Sequence, residues 1–273
     1  MKIQYLGTAA AEGYPAIYCQ CEACEKAREL GGKDIRTRSQ AIVDDKILID
    51  FPADTYMHSL IHNVRLDKIK TCLITHNHHD HLYPQDAGTR YGCNAHLKEE
   101  TTLTFYGTAP SAAAIRGAIK GQIGNRIIAE VIRSFEPFEA EGYKITPLRA
   151  RHDVCCDPVI YLIEKDGKVL FYAHDTGDIL EETFDYIEKN VKHIDFASFD
   201  CCGNETHKMI SHMNTETVVY AKERLEKMGV INDKTVCYVN HYSHNINRTH
   251  QELCDEMNKK GFGVSYDGEI IEF

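Results

Sequence analysis

The chain of 273 residues sets 31 Lys and Arg against 41 Asp and Glu, a formal net charge of −10. With 43% hydrophobic and 26% charged residues it reads as an ordinary globular protein, long enough to bury a sizeable core. The acidic balance argues against an indiscriminate nucleic-acid binder, which needs surplus Lys and Arg, and no apolar run approaches the roughly 20 residues of a membrane span.

In chain order, IQYLGT (3–8) reads as a short strand, and MKIQYLGTAA lacks the charged and apolar regions of a signal peptide. A helix at 22–31 follows, then AIVDDKILIDF (41–51) as a hairpin turning at Asp44-Asp45, and a helix at 53–64. CLIT (72–75) and LTFYG (103–107) are short buried strands, with a helix near 111–120. YKITPL (143–148) is another strand, where Pro147 points to an edge or an end. VIYLIEKDGKVLFYAHD (159–175) is the clearest hairpin, because Asp166-Gly167 suits a tight reversed turn.

Helices at 181–190, 215–229 and 249–260 alternate with strands IDFASFD (194–200), VCYVNH (236–241) and VSYDGEIIEF (264–273). The last helix has a Thr249–Glu252 capping box and a stop at Gly261. Strand-rich halves with interspersed helices predict an α/β (α+β) sandwich of sheets covered by helices on both outer faces. No linker or short repeat divides the chain, so one domain over 1–273 is expected. The polar stretch 82–125 exceeds what a core requires. Tyr83, Arg90, Tyr91 and Lys98 within it are candidates to border a substrate, and a solvated insertion or a dimer contact is the competing reading.

Eleven Cys is an odd number, which rules out complete pairing, and without a secretory signal it predicts reduced thiols in the cytoplasm. Fifteen His is about twice the usual share. The two together point toward metal. The strand CLIT runs into THNHHDH (75–81), which contains His76-x-His78-x-Asp80-His81. On extended backbone His76 and His78 face one side and can meet one ion, while Asp80 and His81 follow the turn and can serve a second. Imidazole with carboxylate suits Zn, Mn or Fe. The bland alternative is a His-rich solvated loop.

This stretch resembles the metallo-β-lactamase superfamily of metallohydrolases, whose fold is a four-layer αββα sandwich with a two-metal site at one edge. The resemblance runs along most of the chain: His152 in RARHD, Asp175 in FYAHDTGD and His241 in VCYVNH match the later ligand positions in order. It implies one ion on His76, His78 and His152, a second on Asp80, His81 and His241, and Asp175 bridging them. His78 stands where the flavo-diiron relatives carry Glu, which favours hydrolysis over oxygen chemistry.

Cys19-x-Cys21-x-x-Cys24 supplies three thiols within six residues, enough for one zinc that finds its fourth ligand elsewhere; three unmetallated thiols are the alternative. The arrangement GTAAAEGYP…CQCEAC resembles a narrower branch, the PhnP-like phosphodiesterases and relatives including PqqB. There the fourth ligand is a His three residues after the last catalytic His. In NHYSH this implies His244 beside His241, giving one structural zinc in addition to two catalytic ions, Mn or Zn.

Two cations a few Å apart lower the pKa of a shared water and hold it as hydroxide, and a phosphodiester suits such a site. The leaving oxygen then needs a proton. His212 in SHMNTET is the candidate acid implied by the PhnP-like pattern, with His207 the competitor, and Asp80 completes the expected catalytic set. The expected partner is a small phosphorylated molecule, with a cyclic phosphate among the candidates. Neither membrane nor nucleic acid is expected, and a homodimer stays open. The other readings are hydrolysis of carboxylic esters, thioesters or lactones, a PqqB-like role in cofactor biosynthesis, a tRNA-processing nuclease, and a non-catalytic metal-binding scaffold. The remaining histidines and cysteines are read as structural, with Cys155, Cys156, Cys201 and Cys202 as buried thiols.

Overall fold

The computed structural model describes residues 1–207 and 209–273. Its first sheet is built from β1 (Lys2–Gly7), β2 (Gln40–Val43), β3 (Ile47–Ile49), β4 (Thr71–Leu73), β5 (Leu103–Gly107), β6 (Ile127–Val131) and β14 (Ile270–Glu272), in the order β14-β1-β2-β3-β4-β5-β6. The second holds β7 (Phe138–Ala140), β8 (Tyr143–Arg149), β9 (Val159–Lys165), β10 (Lys168–Ala173), β11 (Phe196–Asp200), β12 (Val236–Asn240) and β13 (Gly263–Val264), in the order β13-β12-β11-β10-β9-β8-β7.

Alternation along the strands sorts the side chains into layers. In β10, Leu170 and Tyr172 enter the core between the sheets, while Phe171 and Ala173 enter the core under the outer helices. β9 does the same with Tyr161 and Ile163 against Ile160 and Leu162. The outer helices are α4 (Glu181–Asn190), α5 (Thr217–Lys227) and α6 (His250–Met257), whose Phe184, Ile187, Val218, Leu225, Leu253 and Met257 close that layer. On the opposite face α3 (Ala109–Ala118) buries Ala112 and Ile115 against Leu48, Ile74 and Phe105. The layers run helix, sheet, sheet, helix.

Both expected reversed turns are present. Asp44 and Asp45 have φ of 50° and 56°, and Asp166 and Gly167 have φ of 50° and 78°. Helix α2 spans Thr55–Ile61, and α6 carries the Thr249–Glu252 capping box and ends through a 3₁₀ turn at Gly261. Pro147 lies within β8, past the end of short β7, where its carbonyl accepts from Phe135 N–H instead of a ladder partner (2.7 Å).

Three expectations need correction. The segment 264–273 is not one strand but β13 and β14, which belong to different sheets. Asp267 breaks it, its carboxylate taking the N–H and hydroxyl of Thr37 and the hydroxyl of Thr8. Strands β6 and β7 were not expected. Nor is 82–125 a polar insertion: a 3₁₀ segment at Pro84–Arg90 buries Ala87, and Tyr91 enters the same outer core. Arg90 there donates to Thr101 and Leu66, and Tyr91 Oη accepts from Ile127 N–H, so both have structural partners.

Candidate metal centre

In the parallel parts of both sheets the strands end on the same rim. β3 ends into Asp50, β4 into the His loop, β10 into His174-Asp175, β11 at Asp200 and β12 into His241. The His loop is held tightly: His81 N–H and Leu82 N–H both bond to His78 C=O, and Phe51 N–H bonds to His81 C=O (2.7 Å). Asp50, Asp175 and His241 have φ of 66°, 54° and 65°, left-handed backbone that turns each side chain out of its strand.

The structure brings the resemblance-implied ligands into two adjoining groups. His76, His78, His152 and Asp175 form one, and Asp80, His81, Asp175 and His241 the other, with ligand atoms in each group within 4.8 Å of one another. His78 Nδ1 lies 3.1 Å from His152 Nε2, and His81 Nε2 lies 3.3 Å from His241 Nε2. Asp175 Oδ2 is 3.1 Å from His76 Nε2 and 2.9 Å from His81 Nε2. Tetrahedral zinc with bonds of about 2.0–2.1 Å has nitrogen ligands about 3.3 Å apart, so the spacing fits a divalent ion. Among the described residues His76 Nε2 and Asp175 Oδ1 are also buried without a hydrogen bond, which a bound cation would relieve.

A second ring of groups orients the first, and sequence reasoning missed it. Asp50, fully buried, accepts from His81 Nδ1 (2.7 Å) and from Thr75 N–H and hydroxyl. Asp200 lies 3.1 Å from His212 Nδ1 and 3.4 Å from His241 Nδ1. Asp153 lies 3.4 Å from His78 Nε2, and His152 Nδ1 faces Ser211 C=O at 3.1 Å. Such partners select the imidazole tautomer and raise ligand basicity. The signal was present: Asp50 and Asp200 close buried strands just as Asp175 follows one.

Burial, and next the nearby His81, depress His76 to about 4, which leaves its lone pair free for an ion. Burial pushes Asp175 upward, but His241 and His76 outweigh it and hold the carboxylate well below its usual range. Burial would likewise deprotonate His81, yet Asp80 and Asp50 keep it charged. Asp80, one of the carboxylates that retain that proton, is also in the ligand group, so ion binding would be coupled to its release.

His212 sits beside this cluster, its Nδ1 3.1 Å from Asp175 Oδ1 and hydrogen-bonded to Asp200. Burial opposes its charge, but Asp200 and then Asp175 raise it to about 9. Its segment is seated on glycine. A Cβ on Gly177 would stand 1.9 Å from Ile210 C=O, and Met213 N–H bonds to Thr176 C=O (3.0 Å). His207 is exposed, and its N–H is taken by Asn204 Oδ1.

The cysteine group stands apart at the surface. Cys19, Cys21, Cys24 and His244 lie within 4.8 Å of one another, with His244 Nδ1 3.6 Å from Cys19 Sγ and 3.5 Å from Cys21 Sγ. Tetrahedral zinc places a thiolate and an imidazole nitrogen about 3.6 Å apart, so this group also fits. Burial would raise Cys21, but bonds from His244 and the Cys24 N–H bring it down to about 6; Cys24, more buried, is pushed up to about 12. The segments are already joined by backbone, through Ala10 N–H to Tyr242 C=O and Tyr242 N–H to Thr8 C=O.

Other candidates fall outside both groups. His79 and Lys98 are exposed, as is Cys155, contrary to its reading as a buried thiol; it sits in the short 3₁₀ turn after Asp153, while Cys156, Cys201 and Cys202 are buried. Tyr83 is 38% exposed next to the His loop.

The beta-lactamase superfamily domain matches residues 46–236, and the chain belongs to that superfamily, with the metallo-β-lactamase fold and the coarse class of a metal-dependent hydrolase. Among solved structures, a diphosphatase from the PhnP family aligns with 100% of this chain and 98% of its own at 21% identity and a TM-score of 0.74. Zinc-bound PqqB from Methylobacterium extorquens aligns over 100% of both chains at 19% identity and 0.75. The short form of human tRNase Z covers 100% of this chain and 99% of its own at 16% and 0.64. A search of curated proteins finds no match. No described helix is long and apolar enough to cross a membrane.

Proposed function

We propose that this chain is a dinuclear metal-dependent phosphodiesterase acting on a small phosphorylated metabolite, cyclic phosphates included. The observation that carries the reading is Asp175, shared by two four-ligand groups with His212 3.1 Å from its free oxygen. His76, His78 and His152 would hold one ion and Asp80, His81 and His241 the other, with Mn or Zn suited to both sets. Two such ions supply a water of lowered pKa and a Lewis-acid contact for a phosphoryl oxygen. The protein orients the rest. Asp50 fixes His81, and Asp200 holds His212 Nδ1, leaving Nε2 as the atom that delivers a proton to the departing oxygen. The fold shared with a PhnP-family diphosphatase supports the phosphoryl reading over the carbonyl one.

Cys19, Cys21, Cys24 and His244 would take a structural zinc, and the eleven free thiols suit a reducing cytoplasm. The test is a metal-reconstituted assay on bis-p-nitrophenyl phosphate beside p-nitrophenyl acetate and a lactone. Turnover of the phosphodiester, abolished by His81→Ala with the fold retained, is expected. Preference for the carbonyl substrates would replace the phosphodiesterase with an esterase or lactonase, and no turnover of any of them would favour the scaffold.

A further inference from the structure

Beneath the ligand groups lies a buried polar chain that the proposed chemistry does not use. Ser265 Oγ donates to Asn240 Oδ1 (2.6 Å), which turns the amide nitrogen of Asn240 toward His174 Nδ1 at 3.1 Å. An amide nitrogen only donates, so His174 Nδ1 accepts and the ring proton resides on Nε2. That proton goes to Ser198 Oγ at 2.6 Å, and Ser198 Oγ meets Tyr5 Oη at 2.6 Å. All five side chains belong to residues with no exposed surface.

Their positions give the chain a purpose. His174 precedes Asp175 and Asn240 precedes His241, and both ligands leave their strands in left-handed backbone. β10 and β12 do not pair with each other; each flanks β11. The His174–Asn240 bond therefore spans the end of β11 and joins the two strand ends directly. Ser198 adds the middle strand, and Tyr5 anchors the set to β1 of the opposite sheet. Asp175 Oδ2 and His241 Nε2 are 3.9 Å apart, a wider gap than Asp175 keeps to His76 or His81, and no direct bond between those two residues sets it.

We infer that His174 is a positioning residue that sets the separation of Asp175 and His241, and so the affinity for the ion held by Asp80, His81 and His241. The inference rests on reading the two ligand groups as ion sites. Its effect should fall more on that ion than on the other, which shares Asp175 but draws His76, His78 and His152 from other strand ends.

The experiment is stepwise Co(II) titration of metal-free protein, followed by calorimetry and by the ligand-field spectrum, with the thermal transition as a fold control. His174→Leu should weaken the second ion by about ten- to hundredfold and alter its absorption bands, with the first ion affected less. His174→Gln, which keeps a donor and an acceptor, should restore most of the affinity, and Ser198→Ala should fall between the two. Wild-type affinity for the second ion in His174→Leu, equal loss of both ions, or equal loss in Leu and Gln would each overturn the inference. If His174→Leu does not fold, Gln and Ser198→Ala decide it: a second ion bound as in the wild type by both, or as poorly by Gln as by Ser198→Ala, overturns it. A wild-type protein that binds no cobalt at the His and Asp groups would instead sink the dinuclear reading itself.

Discussion

The two candidate ion sites are built in opposite ways. The His and Asp groups draw on the ends of four strands in two sheets, β4, β8, β10 and β12, and His76, Asp80, His81, Asp175 and His241 are all buried, with Asp50 and Asp200 bonded behind them. The cysteine group comes from a loop, the first turn of a helix at Glu22–Leu30 and the turn at His244; Cys21 is exposed and its thiol has only other ligands and a backbone N–H around it. One site is held by the fold. The other would help to hold the fold, since an ion there would tie the loop before the helix to the turn at His244. Rigidity at the first serves geometry that chemistry demands, and the second needs only to stay shut.

The largest expected effect separates chemistry from ligation at the buried site. His212→Ala should lower kcat on a phosphodiester by about 10²–10⁴-fold while two ions per chain remain bound, as measured by steady-state kinetics beside elemental analysis. Loss of an ion in that variant would make His212 part of the cage and erase the distinction.

Next comes the support beneath a ligand. Asp50→Asn retains size but weakens the acceptor for His81 Nδ1–H, and should reduce affinity for the second ion by about 10–100-fold in a competition with a chromophoric chelator. An unchanged affinity would mean that the buried site owes its shape to backbone alone.

The smallest effect sharpens the description of the surface site. In metal-free protein Cys21, brought down to about 6, is thiolate above that pH and a thiol below it, so alkylation by iodoacetamide should rise through about pH 6 and level off. At pH 7 the gain over an ordinary thiol should be about two- to threefold, because a less basic thiolate is also a weaker nucleophile. Cys24, pushed up to about 12, should stay unmodified in the same mass-spectrometric assay. Equal labelling of both would show that the three thiols are not arranged as a cluster before metal arrives.

Much of this was legible in the chain because the informative residues occupy strand ends. The apolar runs of β9 and β10 and the Asp-Gly pair between them made the hairpin readable, and Asp175 fell at its end. The His loop is local, and its spacing carries its own meaning. What stayed hidden depends on the tertiary partner. β7 is three residues with one buried side chain, a pattern too short to stand out. β13 and β14 form a plausible single strand until Asp267 finds Thr8 and Thr37 from the other end of the chain. Arg90 reads in the sequence as a candidate to border a substrate, yet its carbonyl partners at Leu66 and Thr101 only exist once the 3₁₀ segment folds over the sheet. Asp50 and Asp200 also stand at the ends of buried strands, but Asp175 was singled out by the resemblance and no motif names the other two.

Gly177 deserves a last consideration. Its backbone lies so near the Ile210 carbonyl that even a methyl group has no room, and the segment above it delivers His212 to the carboxylates. The imidazole proposed as the acid is therefore placed from below by a missing side chain. A side chain at position 177 would displace the Ile210 carbonyl, and with it the segment that carries His212.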